Sequence, residues 1–312
     1  MLDVPRVSVV MNCLNSERYL REAIDSVYAQ TFHDWEIIFL DNASTDSSAA
    51  IARSYDDRLR YFRNEETVPL GAARNRALEH CRGQLIAFLD CDDIWAEDKL
   101  ACQMPLFEDP EVGLVFSNCI SFTASGAEST QYRSTSAYCT GRCFGSLLRN
   151  YFLTMSAVII RQSCLDGPGQ RFDTRLEVSE EMELFLRIAY SYKLAMADRC
   201  LVRYRVHSSS DTWRNSEKFA KEARLIVDKF RHTFPDFGVR YESEIAELLD
   251  RVNFGYAVSC WKAGFGSVSR RKLRELSRFS LKFALTYCAT FFPFESFEPL
   301  IKQYSGRLYP DQ

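Results

Sequence analysis

Three aspartates, Asp90, Asp92 and Asp93, stand within four positions directly behind the apolar run Leu85-Ile86-Ala87-Phe88-Leu89. Carboxylates brought this close repel one another unless a cation compensates them. A small number of hard oxygen donors suits Mg²⁺ or Mn²⁺ shared with the phosphates of a substrate. The plainer alternative is that Asp92 or Asp93 caps a helix beginning near Ile94, with the acids turned to water. A second strand-like run, Trp35-Glu36-Ile37-Ile38-Phe39-Leu40, ends in the same way on Asp41. Farther along, residues 177–187 read as a helix with Glu180 and Glu181 near its start, where acids also complement the helix dipole. His207 follows a strand-like stretch at 193–206, and a lone histidine is as readily structural as functional.

The elements needed to hold these acids are legible around them. A continuous apolar strand is what a parallel sheet covered on both faces requires. Open α/β sheets bind ligands beyond the carboxyl ends of their strands, where Asp41 and Asp90 stand. Residues 6–11 predict a first strand. Ser16 is placed to cap a helix with the apolar stripe Tyr19, Leu20, Ala23, Ile24, Val27 and Tyr28. After Asp41 a turn at 42–46 leads into a helix expected to reach Tyr55. A short strand at 59–63, a helix opening at Gly71, the Phe88 strand and a further strand at 111–117 follow. This alternation predicts βαβ units and a Rossmann-like, mostly parallel sheet with flanking helices. Residues 123–136 read as a loop, 151–160 as strand-like, Gly167-Pro168-Gly169 as a turn, and the chain beyond Trp213 as a helical extension.

The bulk figures narrow the function. The 312 residues are 46% hydrophobic and 26% charged, the balance of a globular protein with a substantial core. A net charge of −3 argues against nucleic acid as partner. Eleven cysteines, an odd number without paired metal-ligand spacing, read as buried thiols in a reducing cytoplasm rather than disulfides or a zinc site. Residues 1–8 lack the apolar core of a signal peptide, and no apolar run reaches the ~18 residues of a membrane span.

Taken in order, five segments resemble the GT-A fold, inverting family 2 of nucleotide-sugar glycosyltransferases. They are residues 7–15 (VSVVMNCLN), Leu40-Asp41-Asn42-Ala43-Ser44-Thr45-Asp46, Gly71-Ala72-Ala73-Arg74-Asn75, Asp90-Cys91-Asp92 and Glu180-Glu181. The resemblance covers residues 7–210 and implies a catalytic domain at 1–212, divided into a nucleotide part to about 118 and an acceptor part at 119–212, before a helical region at 213–312. It implies that Asp41 accepts a hydrogen bond from the nucleotide base and that Cys13, Asn15 and Glu17 line the nucleotide pocket. Arg74 would approach the base or diphosphate, with a surface salt bridge as its plainer role. Asp90 would contact the ribose, Asp92 would bind Mg²⁺ or Mn²⁺, and Asp93 would support the turn. His207, in Tyr204-Arg205-Val206-His207, would touch the metal or diphosphate. Glu180 and Glu181 occupy the family's Glu-Asp position, and one of them would be the general base; Glu181, replacing the Asp, is favoured. Asn12 and Cys13 depart from the family, which usually has Pro and then Thr or Ala.

The resemblance further implies a nucleoside-diphosphate sugar donor, UDP- or dTDP-linked, and a saccharide or polyprenyl-linked acceptor in bacterial polysaccharide synthesis. It places the protein in the cytoplasm, with membrane contact open. Arg270, Arg271, Lys272, Arg274 and Arg278 precede Phe279 to Leu285 and then Phe291-Phe292-Pro293-Phe294, a pattern that suits either an anionic membrane surface or a helix packed with its basic face in water. Trp213 and the loop before it would fold over the sugar. Two rival readings are a metal-dependent nucleotidyltransferase and a non-catalytic nucleotide-sugar-binding module. The first lacks a Gly-rich phosphate loop; the second has no use for Glu180-Glu181.

Overall fold

The computed structural model describes residues 4–130, 139–167, 169–207, 215–277 and 280–298. Pro168, Trp213 and the segment before it from Ser208, Arg278, Phe279, and the 131–136 part of the expected loop lie outside the described residues. The chain divides into two compact units. The first comprises the residues up to Phe144 and Phe152–His207; the second takes Gly145–Tyr151 and the helical region after His207.

In the first unit β1 (Val7–Cys13), α1 (Glu17–Tyr28), β2 (Trp35–Asp41), α2 (Ser48–Ala52), β3 (Leu59–Arg63), α3 (Leu70–Leu78) and β4 (Leu85–Phe88) follow one another as βαβ units. These strands pair in parallel in the order β3-β2-β1-β4. Every residue of β2 and β4 is buried, which explains why neither shows an alternating pattern. The α1 stripe packs as its spacing predicts, with Leu20, Ala23, Ile24 and Val27 buried against Val9, Met11, Ile37 and Phe39. Burying each such side chain contributes about 1.5–3 kcal/mol.

The chain continues through β5 (Ile94–Trp95), α4 (Lys99–Gln103), β6 (Val112–Phe122), β7 (Glu128–Thr130), α5 (Phe144–Arg149), β8 (Ile159–Arg161), α6 (Glu180–Ser191) and β9 (Lys193–Arg205). The full order is β3-β2-β1-β4-β8-β6-β9-β5, with β7 on β6. The longest later pairing, β6 with β9, is again parallel. β8 is antiparallel to both β4 and β6, and β5 is antiparallel to β9, so the sheet is mixed. Of the expected strand at 151–160 only Ile159 and Ile160 are strand, as the start of β8, and a 3₁₀ turn at Met155–Ala157 precedes them. The helix after Asp41 is also shorter than expected, ending at Ala52. Ser16 stands at the N-cap of α1 but makes no side-chain cap bond. Its carbonyl accepts the Tyr19 and Leu20 N–H groups, while its hydroxyl turns back to the Leu14 carbonyl.

The second unit holds α7 (Ser216–Thr233), α8 (Phe237–Arg240), α9 (Glu242–Lys262), α10 (Gly266–Arg274) and α11 (Leu281–Ala289). Its core joins Ile226, Val227 and Phe230 of α7 to Ile245, Leu248, Ala257 and Trp261 of α9 and Leu273 of α10. Arg149 of α5 pairs with Glu244 and Glu247 of α9 at 2.9 Å each. Among the described residues no helix is long and apolar enough to cross a membrane.

Candidate active site

Register brings the sequence-identified residues to one edge of the sheet. Cys13 ends β1 opposite Asp41 at the end of β2, and the Leu89 N–H, just past β4, donates to the Val10 carbonyl. Beyond these strand ends the chain must turn, and the turns bind one another. Asn15, at the positive φ of 53°, donates its N–H to Ser44 Oγ (3.0 Å) and accepts the Thr45 N–H on Oδ1 (2.8 Å). Glu17 Oε2 accepts the Ser47 N–H at 2.9 Å, and the Glu17 N–H donates to Asp46 Oδ2 at 3.0 Å. The Cys13 thiol lies 3.8 Å from Ser44 Oγ. Cys91 lowers that thiol to about 6 against the effect of burial, and the Cys91 thiol donates to the Asn12 carbonyl at 3.2 Å, tying β1 to the aspartate turn.

Asp41 is fully enclosed. Its Oδ1 accepts the Ser44 N–H at 2.7 Å, and its Oδ2 accepts Tyr61 Oη and Arg63 Nη1, each at 2.6 Å. Burial alone would raise this carboxyl, but the bonds from Tyr61 and Ser44 and the charge of Arg63 hold it below the usual carboxylate range. Beyond Arg63 a cleft of about 540 Å³ is lined by Arg63, Asn64, Glu65, Glu66 and Arg76.

The Asp90–Asp93 segment is a turn, closed by the Asp93 N–H on the Asp90 carbonyl at 3.1 Å. It does not cap a helix, because Ile94 and Trp95 pair with Arg203 and Val202 as β5. The aspartates diverge. Asp93 is buried and accepts Ser156 Oγ (2.6 Å) and the Arg205 N–H (3.0 Å). Asp90 and Asp92 keep 43% and 36% of their side chains exposed. Desolvation and the charge of Asp92 outweigh Arg74 and raise Asp90; desolvation and both neighbours raise Asp93 well above the usual range. Asp92 Oδ2 lies 2.8 Å from His207 Nε2, so the two residues assigned to a metal meet at one point.

Arg74 is 5% exposed and does not form a surface salt bridge. Its Nη1 donates to Glu180 Oε1 at 2.6 Å and its Nη2 reaches Asp90 Oδ1 at 3.4 Å, joining α3, α6 and the aspartate turn. Asn75 secures this junction: its amide exchanges two hydrogen bonds with the backbone of Phe172 (2.9 and 3.0 Å), whose ring lies 5.6 Å from the Arg74 guanidinium. α6 begins at Glu180, so both glutamates lie in its first turn. Glu180 is buried on Arg74, whereas Glu181 is half-buried and has no hydrogen-bond or ion-pair partner among the described residues. Desolvation, with Glu180 and Asp90 adding to it against Arg74, pushes Glu181 up to about 8.

Several residues of this arrangement carry no sequence signal. Ser156 donates to Asp93 and accepts the Asp90 N–H at 3.1 Å, while its carbonyl accepts Trp95 Nε1 at 2.8 Å. Arg205 Nε donates to the Asp92 carbonyl at 2.9 Å, and its guanidinium stands 4.2 Å from the Tyr19 ring. Tyr61 and Arg63, which saturate Asp41, are also absent from the motif list. The buried amide Nδ2 of Asn12, where the family usually has proline, has no hydrogen-bond partner among the described residues.

The residues present fit a divalent cation of the substrate-shared kind. Adjacent ligands of an octahedral Mg²⁺ or Mn²⁺ at about 2.1 Å stand about 3 Å apart, and Asp92 Oδ2 and His207 Nε2 are 2.8 Å apart and partly exposed. Among the described residues no group of three or more His, Cys, Asp or Glu side chains could hold a metal, so the protein offers a pair rather than a cage. The remaining positions would fall to phosphate oxygens and water.

Comparison with known proteins bears on this geometry. The family model described as glycosyl transferase family 2 matches residues 8–164. The UDP-Glc:alpha-D-GlcNAc-diphosphoundecaprenol beta-1,3-glucosyltransferase WfgD of Escherichia coli is 34% identical over 113 residues, covering 36% of this chain and 45% of WfgD. The S. aureus TarS 1–349 structure in complex with UDP-GlcNAc superposes with a TM-score of 0.64 at 17% identity, over 87% of this chain and 81% of TarS 1–349. The mannosyltransferase PcManGT of Pyrobaculum calidifontis, in complex with GDP-Man and Mn²⁺, gives 0.60 at 18% identity, over 97% of this chain and 82% of its own. Both structures share the mixed α/β sheet with flanking helices.

Proposed function

Since the chain belongs to glycosyl transferase family 2, we propose that it transfers a sugar from a UDP- or dTDP-linked donor to a hydroxyl of a saccharide or polyprenyl-linked acceptor, with inversion, in bacterial cell-surface polysaccharide synthesis. WfgD supports the UDP-sugar and the lipid-diphosphate acceptor, and the TarS complex supports UDP. The machinery is assigned to residues 1–212, with the nucleotide at the strand ends before about 118 and the acceptor on the α6 side. A cytoplasmic location goes with this reading.

The carrying observation is the division of labour among the carboxylates. Glu180 is bound to Arg74, Asp41 to Tyr61 and Arg63, and Asp93 to Ser156 and Arg205, while Glu181 has no hydrogen-bond or ion-pair partner among the described residues. In this reading Cys13, Asn15 and Glu17 shape the nucleotide pocket, Asp41 orients the base-side turn and Asp90 meets the ribose. Asp92 and His207 would hold a divalent cation, which when bound supplies positive charge to a diphosphate leaving group. Glu181 accepts the proton of the acceptor hydroxyl as that oxygen bonds to the anomeric carbon. The bond from the anomeric carbon to the diphosphate oxygen breaks on the opposite face, and its electron pair leaves with the diphosphate. Once ionised, a glutamate raised to about 8 is a stronger base than an ordinary glutamate. Arg74 positions Glu180 and Asp90 rather than reacting.

Glu181→Gln keeps the shape and removes the base. Transfer from UDP- and dTDP-sugars should fall by about 10²–10⁴-fold, with nucleotide affinity unchanged. Retained transfer in this variant would remove Glu181 from the chemistry.

A further inference from the structure

The second unit carries a surface that the proposed transfer does not use. Helix α11 has the apolar sequence LKFALTYCA, yet none of its residues is buried. Leu281, Leu285, Phe291 and Phe292 are 61% to 71% exposed. Leu281 and Leu285 lie one turn apart and share a face. Large apolar side chains gathered in water mark a surface meant to be covered.

Cations fringe this surface. The Arg270 guanidinium stands 4.2 Å from the Phe291 ring centroid and donates to the Thr290 carbonyl at 2.6 Å. Arg274 donates to Tyr287 Oη at 3.0 Å, and Lys282 Nζ lies 4.8 Å from the Phe254 ring. Arg271 is exposed and has no hydrogen-bond or ion-pair partner among the described residues. From Lys262 to Glu298 there are seven Lys and Arg against three Glu, in a chain whose net charge is −3. Apolar and aromatic groups interleaved with cations match the layering of a bilayer interface, where rings seat at the headgroup level and basic side chains reach the phosphates. The same positive surplus opposes burial of this surface against a second copy of itself.

We propose that α10, α11 and the Phe291-Phe292 turn form a docking surface for an anionic lipid bilayer. Leu281, Leu285, Phe291 and Phe292 enter the headgroup–acyl boundary, and Arg270, Arg271, Arg274 and Lys282 meet lipid phosphates. This deepens the polyprenyl-linked acceptor reading and rests on it for its purpose, but vesicle binding is measured without transfer, so the two fail separately.

The test is co-sedimentation of the full chain with phosphatidylcholine vesicles containing or lacking phosphatidylglycerol, at low and high salt. Binding should require phosphatidylglycerol and weaken with salt. Arg271→Glu should lower partitioning at least about fivefold, the loss expected for about one cation near an anionic surface. Phe291→Ser with Phe292→Ser should lower it further, with the melting curve and UDP binding unchanged; Leu281→Ser with Leu285→Ser serves as a second apolar variant should the first misfold. The proposal is overturned if the wild type stays in solution with phosphatidylglycerol vesicles, or if folded variants sediment like the wild type. It is also overturned if light scattering shows a dimer that these substitutions dissociate, which would assign the surface to a second copy.

Discussion

Strands β2 and β4 flank β1 in parallel, and each leads into an aspartate at the same edge of the sheet, yet the two ends have opposite fates. At the β2 end Asp41 is enclosed, bonded on both oxygens and held below its usual range. Past β4, Asp90 and Asp92 remain partly exposed, and the turn raises Asp90 and Asp93 instead. Similar apolar runs precede both. The difference lies in what faces them: Tyr61, Arg63 and a backbone N–H at one end, two further carboxylates with Arg74 shared out to Glu180 at the other. A saturated carboxylate fixes geometry. An uncompensated group of carboxylates retains an electrostatic cost that a bound cation relieves.

Removing the shared cation should disturb the β4 end most. Arg74→Met removes the guanidinium from the buried Glu180 carboxylate and should destabilise the protein by about 3–5 kcal/mol, read by urea denaturation. A loss below about 1 kcal/mol would mean that Glu180 finds another partner without cost. At the β2 end the effect should be smaller. Tyr61→Phe deletes one hydrogen bond to a charged, buried carboxylate, worth about 1.5–3 kcal/mol at neutral pH. Because folding lowers the Asp41 pKa, its contribution is present above the usual aspartate range and is lost as pH falls through the native value. The variant should therefore unfold at a higher pH during acid titration; an unchanged acid midpoint would count against this balance.

A third effect should be a slope. Glu181 is raised from 4.5 to about 8, so between those values the native state keeps a proton that the unfolded chain releases. Wild-type stability should therefore decline with rising pH across that window. Glu181→Gln lacks the decline, and the melting-temperature difference between variant and wild type in EDTA should grow from pH 5 to pH 8. A constant difference would contradict the raised value.

Much of this contrast was legible in the sequence because it depends on local pattern. Apolar runs ending in Asp41 and Asp90 fix strand ends, and the α1 stripe fixes the face it buries. The rest depends on distant pairing. Ser156 is 66 residues from Asp90, and Arg205 is 113 residues from Asp92. Nothing in either neighbourhood announces that both hold the same turn. The antiparallel insertion of β8 between β4 and β6 was hidden because three residues are too few to show a period. Ser16 had the residue type of a cap, but its backbone places the hydroxyl away from the helix N–H groups. Arg74 had a motif position but no signal that Glu180, 106 residues away, would bury it.

The central claim is that the β4 end is the site completed by a cation and a nucleotide. The direct measurement is a thermal-shift panel of UDP, dTDP, GDP and their sugars with Mn²⁺ or with EDTA, on wild type and Asp92→Ala. Stabilisation by a nucleoside diphosphate that needs Mn²⁺ and disappears in Asp92→Ala is the predicted result. Equal stabilisation in EDTA, or no response to any nucleotide, would contradict it and leave the aspartate turn a structural feature of the sheet edge.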